Sequence, residues 1–142
     1  MRLLVAALLV AGSLSGCGGG DAYCDAVQDH QAELTDVTAS GTPGALLEAL
    51  PVFRDLQERS PDDIRDDWQA FLDPLEQLDD ALRDAGIDPV TYDATALPDS
   101  LGAEERTRIA DAAAGILAPA VVRAFDSVQQ QAKDVCHTPM SL

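Results

Sequence analysis

Basic residues are scarce in this chain: 9 Lys and Arg stand against 25 Asp and Glu, a formal net charge of −16 over 142 residues. Nucleic acids and anionic lipid surfaces are gripped by clustered Lys and Arg. The deficit therefore excludes a nucleic-acid partner and charge-driven adhesion to a membrane surface. Aromatic residues make up only 4%, while alanine is abundant, which suits close-packed helices better than a sheet sandwich. There are three cysteines and no Cys-x-x-Cys spacing, so the common zinc and redox motifs are absent. Also missing are Gly-x-Ser-x-Gly, His-Glu-x-x-His, a phosphate-binding glycine loop and a calcium loop with its glycine and terminal Glu. Scattered carboxylates alone identify no acid–base pair. The chain reads as non-enzymatic, with no cofactor. No apolar run reaches the ~20 residues of a membrane-spanning helix.

What is present begins at the amino end. Met1-Arg2 is a short positive start, Leu3 to Val10 is apolar throughout, and small residues follow. A run of this length is the core of a secretory signal peptide. Leu14-Ser15-Gly16-Cys17 then resembles the bacterial lipobox: a branched apolar residue, two small ones and the cysteine that receives lipid. That resemblance implies a diacylglycerol thioether on Cys17, cleavage before it, and acylation of the new amino terminus in many bacteria. Its partner is the bilayer, and its location the extracytoplasmic face of the cell membrane. Each buried methylene contributes roughly 0.8 kcal/mol, so two or more chains hold firmly where one binds only marginally. The expected organisation is a signal peptide over 1–16, a lipidated cysteine and glycine tether over 17–21, and a helical domain over 22–142. Gly18 to Gly20 carry no side chains to pack and read as flexible. Cys17 to Cys24 spans at most about 25 Å, so the body stays close to the bilayer. Without Arg2 that body carries 8 basic against 25 acidic residues, a net −17.

With Cys17 lipidated, Cys24 and Cys136 remain, one near each end of the domain, in a compartment where disulfides persist. A bond between them closes a loop of about 112 residues, worth roughly 4–5 kcal/mol in the chain-entropy picture. Two free thiols or a shared metal are the alternatives.

The apolar periodicity is helical almost everywhere. A first helix is expected over 22–38, with Tyr23, Val27, His30, Leu34 and Val37 on one face. A second starts at Thr42 as N-cap with Pro43 at its first position; it carries Leu46, Leu47, Leu50, Phe53 and Leu56, and Pro51 kinks it. The third is capped by Ser60, opened by Pro61, and shows a seam of Ile64, Trp68, Phe71, Leu75, Leu78 and Leu82. Asp62 and Asp63 meet its positive end. Pro74 bends it, and Gly86 suits a left-handed C-cap with Ile87 folding back. Residues 88–102 read as a long connection. The fourth runs over 103–136 through Ile109, Ala113, Ile116, Leu117, Val121, Phe125, Val128, Ala132 and Val135, bent rather than reversed at Pro119. The expectation is an all-α antiparallel four-helix bundle with kinked helices. An even helix count returns Cys136 to the end that holds Cys24, where a disulfide needs Cα atoms within about 7 Å.

The body also resembles, more loosely, small uncharacterised lipoproteins of high-GC Gram-positive bacteria. The resemblance rests on Tyr23-Cys24 after the anchor, Pro61-Asp62-Asp63-Ile64, Asp67-Trp68 and the late Cys136. It implies an address and no mechanism.

Among candidate sites, Asp62, Asp63 and Asp66 match the DDxxD pattern that holds magnesium against a diphosphate. They lie at a helix start, where acids are favoured anyway. Opposite the third seam stand Asp66, Gln69, Asp73, Glu76, Asp80 and Asp84, a possible surface for a basic envelope partner. Spread over about 27 Å of helix, they cannot converge on one ion. His30 interrupts an apolar face and marks a possible ligand pocket, since a buried imidazole needs a partner and can titrate. With Glu33 it forms His-x-x-Glu, the reverse of the di-iron order. His137, beside Cys136 and near Met140, is a weak copper pattern; no metal site is assigned. The expected role is an acidic interaction module of the envelope, with a small-ligand or metal binder using His30 as the alternative.

Overall fold

The computed structural model describes residues 19–40 and 42–140; the leader, the Leu14–Cys17 box and the lipidation site at Cys17 lie outside the described residues. All regular structure among the described residues is helical. The α-helices are α1 (Gly19–Asp29), α2 (Gln31–Ser40), α3 (Pro43–Glu48), α4 (Leu50–Arg59), α5 (Arg65–Asp84), α6 (Ala103–Ile116) and α7 (Pro119–Val135). Short 3-10 turns occupy Asp62–Ile64 and Pro89–Thr91. An all-α fold is what the periodicity predicts, but seven α-helices stand among the described residues where four were expected. Gly19 and Gly20, expected in the tether, begin α1 instead.

Two of the breaks fall at prolines. Ala49 separates α3 from α4 two residues before Pro51, whose missing N–H leaves the Leu47 carbonyl without its helical donor. Pro119 pushes Ala118 into extended backbone (φ −60°, ψ 138°) and so ends α6 rather than kinking a continuous helix. The direction across this break is kept. Arg108 faces Asp84, Gly115 meets Pro74, and Phe125 stacks on Phe71, so α6 and α7 run one after the other antiparallel to α5. At His30 the ladder continues on both sides: its N–H bonds to Ala26, and its carbonyl accepts from Leu34, each at 3.0 Å. Pro74, by contrast, stays inside an unbroken α5.

Ser60 does not cap α5. The residue before a proline is driven into extended backbone, and its hydroxyl donates back to the Gln57 carbonyl at 2.7 Å, closing α4. The other end of α5 matches its sequence signature. Gly86 has φ +73°, Ile87 N–H reaches the Leu82 carbonyl at 2.9 Å, and Gly86 N–H reaches Arg83 at 2.9 Å. This is the paired C-cap in which glycine avoids the Cβ penalty of left-handed backbone.

The six seam residues of α5 are all buried. Five of the six aromatic residues form one chain of ring contacts around Trp68. Trp68 meets Tyr23 and Phe71 edge-on, with centroids 6.5 and 6.1 Å apart, and lies tilted against Phe53. Its Nε1–H donates to the Tyr23 hydroxyl at 3.2 Å. Burial pushes the Tyr23 phenol up to about 12, against a smaller lowering by that bond, which keeps it neutral. Two residues of the expected fourth face, Leu117 and Val135, are exposed instead. Leu117 falls in the break before Pro119, and Val135 in the last turn of α7.

Cys24 and Cys136 are bonded, with Cα atoms 5.0 Å apart across 112 positions of sequence. The segment beyond α7 folds back over α2: Gln31 Nε2 donates to the Pro139 carbonyl at 3.1 Å, and Met140 is buried.

Candidate functional site: an apolar groove between five helices and a turn

Thr42 caps α3, its hydroxyl accepting from Ala45 N–H at 3.3 Å, and Pro43 occupies the first helical turn. The next residue, Gly44, packs flat against the 3-10 turn. A Cβ there would overlap the Val90 carbonyl oxygen, so no larger side chain fits without displacement. This backbone contact brings Tyr92 and Ala94 alongside α3. Across from them, the break at Pro119 leaves Leu117 at the edge of a hollow.

The hollow has a volume of about 470 Å³. Val37 of α2, Pro43 and Leu46 of α3, and Leu78 of α5 form one side; Ala113, Ile116, Leu117 and Phe125 form the other. Tyr92 and Thr42 supply the only hydroxyls among the lining residues, and none of those residues is charged. Burial, and then the neighbouring Asp93, raise the Tyr92 phenol above its ordinary value. It therefore stays neutral and able to donate. Pockets of this size and character hold small molecules: apolar walls supply the affinity and a few polar groups fix orientation.

The residues singled out from sequence lie elsewhere. His30 is half-buried, with Nε2 3.2 Å from Asp55 Oδ2 and Nδ1 3.6 Å from Glu33 Oε2. Burial pushes Asp55 up, but the bonds from Arg59 and His30 outweigh it and hold the carboxyl below the ordinary range. His30 thus occupies a polar seam between α1, α2 and α4. It lines neither the apolar groove nor the hollows bounded by Asp80 and Asp111, by Ala103 and Thr107, or by Asp126 and Lys133.

On α5, Asp66, Gln69, Asp73, Asp80 and Asp84 are exposed and Glu76 is half-exposed. Glu76 accepts from Arg54 of α4 at 2.8 Å, and Asp84 pairs with Arg108 of α6 at 3.6 Å. Gln69 bridges Gln57 and Asp73. The strip is therefore partly neutralised at its flanks. Asp80, Asp84 and Asp111 share a second hollow of about 390 Å³ with Arg108. Asp62 and Asp63 fall in the 3-10 turn, where Asp62 pairs with Arg65 at 2.7 Å. His137 is exposed while Met140 is buried, so the two face different surroundings. Among the described residues no group of three His, Cys, Asp or Glu could hold a metal ion. Nor, among them, is any helix long and apolar enough to cross a membrane.

Sequence reasoning missed the groove. Its walls come from six separate elements, and each residue reads locally as core, cap or connection. The usable signals were the Thr42-Pro43 start and Pro119, which fix where two walls end.

No protein-family model, no curated protein and no solved structure matches this chain.

Proposed function

We propose that this chain is the precursor of a lipoprotein held at the outer face of a cell membrane through Cys17, and that its helical body binds a small apolar ligand rather than catalysing a reaction. The uncharged groove of about 470 Å³ is the observation that carries the binding reading. The signal-like leader and the lipobox resemblance support the address. In this reading the seven helices act as four bent antiparallel elements: α1 with α2, α3 with α4, α5 alone, and α6 with α7. Phe125 of the groove then lies about 16 Å along α7 from Cys136, at 1.5 Å per residue.

The test uses the full chain in neutral lipid nanodiscs, with decanol as the probe. Ligand binding to the folded state at a hundredfold excess over Kd adds about 2.7 kcal/mol, a rise of several degrees in melting temperature. Ala94→Trp, an exposed lining position, should abolish the rise, and His30→Ala should leave it intact. No rise with decanol, or loss on His30→Ala alone, would remove the groove from the account.

A second reading rests on the exposed carboxylates Asp66, Asp73, Asp80 and Asp84 along α5, as a surface for a basic envelope protein. Crosslinking in intact cells should then capture a partner that disappears when Asp66, Asp73 and Asp80 become Lys. Capture unaffected by the reversal would end that reading.

A further inference from the structure

Charge is unevenly spread along this chain. Residues 17–102 carry 20 acidic and 4 basic side chains, whereas residues 103–142 carry 5 and 4. The near-neutral part is the α6–α7 arm. Among the described residues it also holds three of the four large apolar side chains that stand exposed, Leu117, Val122 and Val135. On α6 the exposed residues Glu104, Thr107, Asp111 and Ala114 follow at steps of three and four, and on α7 so do Pro119, Arg123, Asp126, Gln130 and Lys133. Each set therefore shares one helix face. Both faces lie opposite the residues that α6 and α7 bury, Ile109 on one and Ala124, Val128 and Ala132 on the other. They form one strip that passes Leu117.

The ion pairs of this strip are incomplete. Arg54, Arg59, Arg65, Arg83 and Arg108 each hold a carboxylate, and Arg106 donates to the Leu101 and Pro98 carbonyls. Arg123 and Lys133 form no ion pair among the described residues, and neither do Glu104 and Asp111. These four charges are arranged about Leu117. Asp111 and Arg123 stand six residues to either side of it, Glu104 and Lys133 thirteen and sixteen. A second strip laid end for end about Leu117 sets Asp111 of each copy opposite Arg123 of the other, and Glu104 within about one helical turn of Lys133. Contacts across a two-fold axis have this form, residue i meeting j while j meets i.

We infer that the exposed strip along α6 and α7 docks a second copy of this chain, the two strips antiparallel about a two-fold axis at Leu117. The carboxylate-rich faces elsewhere repel their own copies, so this is the side on which two such bodies approach. From Ala103 to Val135 the strip runs about 50 Å and is about 10 Å wide. Two copies then bury about 1,000 Å² together, at the lower bound for a specific interface, so the pairing is reversible.

The experiment treats intact cells making the full chain with a water-soluble carbodiimide, which joins an amine directly to a touching carboxylate. Lys133 is the single lysine of the chain. A dimer-sized product should form in which Lys133 is joined to Glu104. Within one copy these residues lie about 40 Å apart along the two helices, so that product links two copies. Arg123→Glu sets like charges together twice per dimer and should cut the yield about tenfold. Adding Asp111→Arg restores the match with the signs exchanged, and should bring the yield back to within about twofold of the original. Both positions are exposed, so neither change should lower the unfolding midpoint. Lys133 joined to a different protein, the absence of a dimer-sized product, or a yield that Asp111→Arg fails to restore each overturns the pairing. Neither Asp111 nor Arg123 lines the groove, so these outcomes leave the binding reading untouched.

Discussion

Replacing both Cys24 and Cys136 with Ser should lower the unfolding free energy by about 4–5 kcal/mol. The cross-link joins positions 112 residues apart; without it the unfolded chain regains the freedom that the closed loop denies it, and the folded state gains nothing in return. The loss should appear as a lower urea midpoint in the double-serine variant. The unmutated protein should show the same drop when reductant is added. A midpoint that reductant leaves unchanged would show that the bond contributes nothing to stability. The single variants should behave like the double one, since either substitution removes the same covalent link.

Trp68→Ala should cost about 3–5 kcal/mol, the range for emptying a large aromatic site in a core. Trp68 is fully buried and touches Tyr23, Phe53 and Phe71, so truncation opens a hollow at the crossing of α1, α4 and α5. It also deprives the buried Tyr23 hydroxyl of its donor. Because the chain has a single Trp, unfolding of this variant is followed by circular dichroism rather than by fluorescence. Trp68→Phe retains much of the packing and loses the N–H, so it should cost about 1–3 kcal/mol. A loss below about 1 kcal/mol for Trp68→Ala would mean the surroundings collapse into the space.

Local periodicity carried much of this fold. The α5 seam from Ile64 to Leu82 is legible because a 4-3 repeat leaves one consistent face, and every member of it is buried. Gly86 was legible for a similar reason: a glycine followed by an apolar residue at a helix end has few other uses. Pairing Cys24 with Cys136 needed a global argument, the parity of antiparallel elements. The pairing it predicts is the one observed, although seven α-helices rather than four stand among the described residues.

The helix breaks were misread for one reason. A proline announces a lost hydrogen bond but not whether neighbours will absorb the loss. Pro74 is buried within packed α5, close enough to Gly115 that a Cβ added there would meet the proline ring at 3.8 Å, and the helix continues. Pro119 lies where Leu117 is 77% exposed, and the helix ends. Ser60 does not cap because its hydroxyl donates backwards to the Gln57 carbonyl. The groove had no local signature. It is the space left between α3, with the Pro89–Thr91 turn packed on it, and the α6–α7 break, and only the assembled packing defines it.

The cystine also decides how this molecule bears tension. Residues 24–136 form a covalent ring, with the amino-terminal stretch and the last few residues as short tails outside it. A force drawn between the two chain ends runs through the sulfur bridge and bypasses the intervening polypeptide. Pulling on the two ends would strain the stretches outside the ring, while the helices within it, groove included, stay unloaded.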